Sequence, residues 1–229
     1  MKQLVTEGII LARINYGEAD RILTLLTPDQ GKLRLMAKGV RRVKSKLAGG
    51  IELFSVSTIT FIRGKSELGT LVSTRLIKHY GHIVGNLERT MSGYELIKQL
   101  NKITEDEVEA EYFELLKQAF EALDDNTIPL PVIRFWFAAR LLSQTGHMPN
   151  LQTDVRGGKL RAAQAYNFSI ESMSFDPSDK GRFNANHIKF LRLAFSGSTA
   201  KMLAHIEDSD AMLATLLPLL QAMQRNVHG

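Results

Sequence analysis

The sequence predicts an α+β protein of two parts: a small five-stranded antiparallel β-barrel, followed by an all-helical domain. Three observations carry this. Apolar residues recur with a period of two through residues 1–80, the period lengthens to that of a helix from about residue 86, and Pro, Asp and Gly punctuate the first region where turns are needed. A chain of 229 residues has room for two modest domains, each with its own core.

Val5 to Ile14 is rich in β-branched residues and partly alternating, as a half-buried strand should be. Arg21 to Thr27 follows, Pro28-Asp29-Gln30-Gly31 supplies turn chemistry, and Lys32 to Lys38 returns with strict alternation, which reads as a hairpin. Leu53 to Arg63 and Leu68 to Thr74 form a second pair across Gly64-Lys65-Ser66-Glu67. Five short strands favour closure into a barrel, because closure leaves no exposed strand edge. An OB-type barrel over residues 1–80 is the expected form, with the helical domain over 81–229.

In the second part, Leu87 to Lys102 is apolar at 87, 91, 94, 96, 97 and 100. Thr104 with Glu107 reads as a capping box opening a helix to about Leu123. Pro129 and Pro131 suit the first turn of a helix over Val132 to Thr145, ended by Gly146. Pro149 to Asp179 is less regular, and further helices are expected near Ala185 to Ala194, Thr199 to His205 and Asp208 to Gln224.

Composition excludes several classes of function. There are no cysteines, so disulfides, thiolate nucleophiles and thiolate zinc sites are ruled out. No apolar run approaches the ~20 residues of a membrane span, and the N-terminus lacks the apolar core of a secretory signal. The expectation is a soluble, cytoplasmic protein without a membrane partner.

The charge is uneven. Residues 1–80 hold 14 Lys/Arg against 6 Asp/Glu, while the remaining residues hold 15 against 18, which points to a polyanion partner for the first part. The basic excess is densest from Lys32 to Lys46, which contains Lys32, Arg34, Lys38, Arg41, Arg42, Lys44 and Lys46 and no acid. Lys32, Arg34 and Lys38 share one strand parity, opposite Leu33 and Leu35; the cations beyond Gly39 fall in a loop. A basic sheet face next to a basic loop is what a phosphate backbone needs, and counterion release would give seven single-strand contacts a log–log salt slope of about −5. Aromatic stacking has less support, since Phe54 and Phe61 are expected in the core, leaving Tyr16 and Tyr80. The same run also suits an RNA-binding barrel, or an interaction module whose loop meets an acidic protein.

No catalytic constellation emerges. His187 with Asn184 lacks a nucleophile, Gly157-Gly158-Lys159 lacks P-loop spacing, and Glu105, Glu107, Glu109 and Glu111 fan around a helix rather than converging. The sequence points to a binding protein, not an enzyme.

One stretch, TEGIILARINYGEADRILTLLTPDQGKLRLMAKGVRRVKSKLAG from Thr6 to Gly49, resembles the N-terminal signature of the bacterial recombination mediator family RecO. The matching elements are EGIIL, YGE-x-D-x-I-x-x-LLT, the GK after the turn and KG-x-R-x-x-KSKLAG; Phe137 to Leu142 with Gly146 and Pro149-Asn150-Leu151 also resemble the family. The resemblance implies an OB domain with a helical domain behind it. It implies binding of single- and double-stranded DNA, strand annealing, pairing with RecR, and capture of the C-terminal tail of single-stranded-DNA-binding protein. It also implies an indirect role in loading RecA, a nucleoid-associated location, and no turnover. For the tail, a cation beside an apolar cleft is needed, and Arg134 and Arg140 beside Phe135 and Trp136 are the candidates. Many relatives carry a four-cysteine zinc knuckle at about residues 150–190. The aligned positions here hold Asp154, Gly157, Asn184 and His187, a donor set without a thiolate, so no zinc and no other cofactor is expected.

Overall fold

A computed structural model describes residues 2–64, 67–104 and 110–228. It comprises two compact units, Met1–Asn126 and Thr127–Gly229. The boundary expected near residue 80 is where the periodicity changes; the compact division falls after the first two long helices, which belong to the barrel's unit.

Five strands build the barrel: β1 (Gln3–Tyr16), β2 (Asp20–Leu26), β3 (Lys32–Ala37), β4 (Ser55–Ile62) and β5 (Leu68–His79). Their order is β1-β2-β3-β5-β4, closed by the β1–β4 pairing. All pairs are antiparallel except β3 with β5, which is parallel and spans Arg34↔Leu68 to Met36↔Thr70. Alternation fixes which residues turn inward: Ile10, Leu23, Leu25, Leu35, Ile59, Phe61 and Leu71 fill the barrel. The β4–β5 connection includes Lys65 and Ser66, which lie outside the described residues.

A short helix α1 (Gly81–Val84) leads into α2 (Leu87–Ile103) and α3 (Ala110–Asp124). Aromatic rings tie this pair to the barrel mouth. Phe54, at φ +55°, puts its ring edge-on to Tyr94 and Phe120, at centroid distances of 5.3 and 5.4 Å, and its carbonyl accepts from the Tyr80 N–H. Tyr80 is buried against Phe120, and burial, with Glu121 and the other carboxylates of α3 adding to it, pushes its phenol well above the ordinary tyrosine range. Arg89 is buried and donates from Nη1 to the Leu123 carbonyl at 2.7 Å, where α3 needs a partner for its last carbonyls. Thr104 ends α2: its hydroxyl donates to the Leu100 carbonyl at 2.8 Å. Glu107, the other half of the expected capping box, lies outside the described residues, as do Glu105 and Glu109.

The second unit centres on α4 (Leu130–Gln144), which is apolar nearly all round and therefore buried nearly all round. Phe135 meets Phe190 of α5 (Ala185–Phe195), and Trp136 Nε1 donates to the Ser198 carbonyl at 2.6 Å. Helices α6 (Ala200–Ala204) and α7 (Ser209–His228) complete the bundle. The stretch read from sequence as irregular adds a three-stranded sheet to the helical domain: β6 (Asn150–Asp154), β7 (Tyr166–Ser169) and β8 (Ser174–Pro177), ordered β6-β8-β7. Phe175 is its centre, edge-on to Tyr166, Phe168 and Phe183. No helix among the described residues is long and apolar enough to cross a membrane.

The Phe54 anchor makes a stability prediction. A Cβ at Gly93 would overlap the Phe54 ring, so Gly93→Ala should lower the unfolding free energy by about 1–3 kcal/mol in urea. Gly49→Ala, with open space around it, should change it by less than about 0.5 kcal/mol.

Candidate nucleic-acid interface

The cations are presented by the chain from Lys38 to Phe54, which links β3 to β4 and is pinned to the barrel at both ends. At the first pin, Gly39 takes φ +63°, a conformation that glycine adopts without strain, and its N–H donates to Asp20 Oδ1 at 2.7 Å. The Arg41 N–H donates to the Ala19 carbonyl at 2.9 Å, so the β1–β2 turn carries the start of the loop. Between these two bonds Val40 drops into the barrel core. At the second pin Ile51 is fully buried and Leu47 packs on the same core, while the Thr74 hydroxyl donates to the Leu47 carbonyl at 3.2 Å. Gly50 passes so close to Thr74 that no Cβ would fit. Arg13 locks the exit, donating from Nη1 to Glu52 at 2.9 Å and to the Ile51 carbonyl at 3.4 Å.

Between the pins the chain turns twice, through Arg42 N–H to Gly39 and Ser45 N–H to Arg42. Lys38, Arg41, Arg42, Lys44 and Lys46 are all exposed, and Val43 stands fully exposed among them. Of the five, Arg41 also reaches back, donating to the Gly17 carbonyl at 3.3 Å. The loop holds five cations within nine residues, with no acid among them.

Arg34 is exposed on β3, on the rim of an open groove of about 370 Å³ that is also lined by Gln30, Lys32 and Arg63. Arg63 donates to Gln30 Oε1 at 2.7 Å. It adds a cation to this face from beyond β4, far in sequence from the basic run, so charge density along the chain does not reveal it. Lys32 has the expected parity but a different task. Its ammonium donates to the carbonyls of Asn101, at 3.0 Å, and Thr104, at the C-terminus of α2. A cation there satisfies orphan carbonyls and the negative end of the helix dipole. Of the barrel's aromatics, Phe54, Phe61 and Tyr80 are buried, leaving Tyr16 exposed beside the loop-bearing turn.

The chain matches two family models, "Recombination protein O N terminal" over residues 1–80 and "Recombination protein O C terminal" over residues 86–226. It belongs to the RecO family. It is similar to the DNA repair protein RecO of Dehalococcoides mccartyi, 34% identical over 168 residues that make up 73% of this chain and 66% of that protein. Similarity to the DNA repair protein RecO of Acetivibrio thermocellus is 32% over 160 residues, 69% of this chain and 63% of the relative. For Bacillus pumilus the figures are 32% over 171 residues, 74% and 65%. These alignments span about two thirds of each relative's length.

The RecO family's helical half gives a different picture of the other expected sites. Arg134 is exposed on α4, but Phe135 and Trp136 beside it are buried in the unit's core and form no open cleft. Arg140 is half-buried against the turn at Gly197. Six positions apart, the two arginines stand about 120° from each other around the helix, so the structure does not bring them together.

Asp154, Asn184 and His187, the possible metal donors of this region, are engaged in hydrogen bonds to backbone groups. Asp154 Oδ1 accepts the N–H groups of Arg156 and Gly158, both at 2.9 Å, closing the turn after β6. Asn184 caps α5 by accepting from the Asn186 and His187 N–H groups, and His187 Nδ1 accepts from the Asn184 N–H at 3.2 Å in a reciprocal capping box. These residues do not fit a zinc site: among the described residues no three His, Asp or Glu side chains converge. Burial, and then the charge of Arg182, holds the His187 imidazole below its ordinary pKa.

That shift has a pH consequence. The unfolded imidazole titrates near 6.5, and the folded one lower, so the capping box contributes its full stability above about pH 6.5 and loses it as pH falls from there through the folded pKa. His187→Gln keeps an acceptor at the same helical position without titrating. The wild type should therefore lose more stability than His187→Gln between about pH 7.5 and about pH 5.5 in urea titrations.

Proposed function

We propose that this chain is a non-catalytic DNA repair and recombination mediator that holds the sugar-phosphate backbone of single- and double-stranded DNA on the pinned basic loop. Lys38, Arg41, Arg42, Lys44 and Lys46 make the contacts, with Arg34 and Arg63 extending them along the barrel. Contact to phosphates leaves base edges free, and neutralising two strands lowers their mutual repulsion, so complementary strands anneal without ATP. The single observation that carries this reading is the set of five exposed cations within nine residues, with no acid among them, held from beneath by the barrel core. Membership of the RecO family supports it and extends it: the chain pairs with RecR, and the pair helps load RecA onto strands coated by single-stranded-DNA-binding protein.

With Lys32 committed to α2 and Arg63 added, seven contacts remain on the loop and the barrel face, giving a log–log salt slope near −5 for a single strand at roughly 0.7 per phosphate. Replacing Arg41, Arg42, Lys44 and Lys46 together by Ala should reduce the slope by about 3 and weaken binding at every sequence alike. Fluorescence anisotropy of a labelled strand across a salt series checks this; unchanged affinity and slope in the folded variant would defeat the assignment. A second reading, a loop that docks on an acidic protein, draws on Val43, since an exposed apolar side chain among cations suits a protein surface. On that reading the four-residue variant loses the protein partner and keeps its DNA affinity, and a competition titration shows the two ligands binding the wild type without displacing each other.

A further inference from the structure

The second unit has its own convergence of cations. Arg161 from the β6–β7 connection and Lys189 and Arg192 from α5 line one small hollow of about 100 Å³, whose floor is Leu160, Ile188 and Ala185. None of the lining residues is acidic, and none of the three cations has a carboxylate within ion-pair distance among the described residues. The surroundings are basic as well: Val155 to Ile170 and Lys180 to Ile206 contain Arg156, Lys159, Lys180, Arg182 and Lys201 besides these three, and no Asp or Glu.

The hollow is held in shape from both sides. The Arg161 N–H donates to the hydroxyl of buried Tyr166 at 2.7 Å, and the Leu160 N–H donates to the Gln152 carbonyl at 3.3 Å. Opposite, the reciprocal cap at Asn184 and His187 fixes the first turn of α5. Arg192 is oriented by donating from Nε and Nη2 to the Leu151 carbonyl, at 2.9 and 2.7 Å, so its guanidinium is fixed at one edge of the hollow. Three like charges lining one small hollow repel one another until an anion joins them, and this hollow is sized for a single tetrahedral anion rather than a whole nucleotide.

We infer that this hollow is a second polynucleotide site, taking a backbone phosphate on Arg161, Lys189 and Arg192 independently of the barrel loop. It rests on the reading of the chain as a DNA binder, and it means that one chain holds two strands. Arg161 and Lys189 are exposed, whereas Arg192 supports Leu151, so Arg161→Glu with Lys189→Glu tests the site without removing a structural bond.

The experiment counts bound copies of a single-stranded oligonucleotide of about 8 nucleotides per chain, by native mass spectrometry and by anisotropy titration at low salt. The wild type should hold two copies, the Arg161→Glu/Lys189→Glu variant one, and the four-residue loop variant one. Two copies on the Arg161→Glu/Lys189→Glu variant, or a single copy on the wild type that only the loop variant loses, would overturn the second site and leave the loop reading standing. No binding to the wild type would overturn both.

Discussion

The functional surface depends on one anchoring arrangement: the Asp20 carboxylate holds the Gly39 N–H while Val40 and Ile51 sit in the barrel core on either side of the exposed cations. Cations crowded into nine residues repel, and a free loop would relax by spreading them into solvent. The buried apolar side chains oppose that spreading. The left-handed turn at Gly39 is what allows Val40 to point inward while Lys38 and Arg41 point out. The barrel is thus a clamp for a charge distribution, and under the proposed function it would meet part of the ordering cost of binding a phosphate backbone in advance.

The rest of the first unit reinforces the clamp. Phe54, the residue at which the loop ends, is wedged between Tyr94 and Phe120, so the helices α2 and α3 hold the loop's exit as firmly as the barrel holds its start. Lys32 and Arg89 each close a helix C-terminus, one on α2 and one on α3. Cations in this unit therefore do two kinds of work, and position relative to a helix end, not residue type, decides which.

That division explains what could be read from sequence. The strands were legible because β-branched residues alternate over six or more positions, and the basic run because a loop's charges need no partner to be seen. Parity puts Lys32 on the same face as Arg34, but nothing local to it announces the α2 carbonyls about 70 residues away. Arg63 joins Arg34 only through the parallel β3–β5 closure, a pairing with no turn to signal it. The sheet β6–β8 was illegible for another reason: NLQTD, YNFS and SFDP are too short to show a period, and Phe175 organises them through rings contributed by two separate segments. On α4 the apolar residues run all round the helix, so periodicity could not say whether Phe135 and Trp136 face a cleft or the core; they face the core.

The central claim is that the loop binds because it is held, not merely because it is basic. Asp20→Ala separates the two, since it removes the anchor of Gly39 and at the same time raises the net charge. Affinity for single-stranded DNA, measured by anisotropy at fixed salt alongside a circular-dichroism check of the fold, should fall in this variant. Equal or tighter binding would show that charge alone suffices, and would contradict the account.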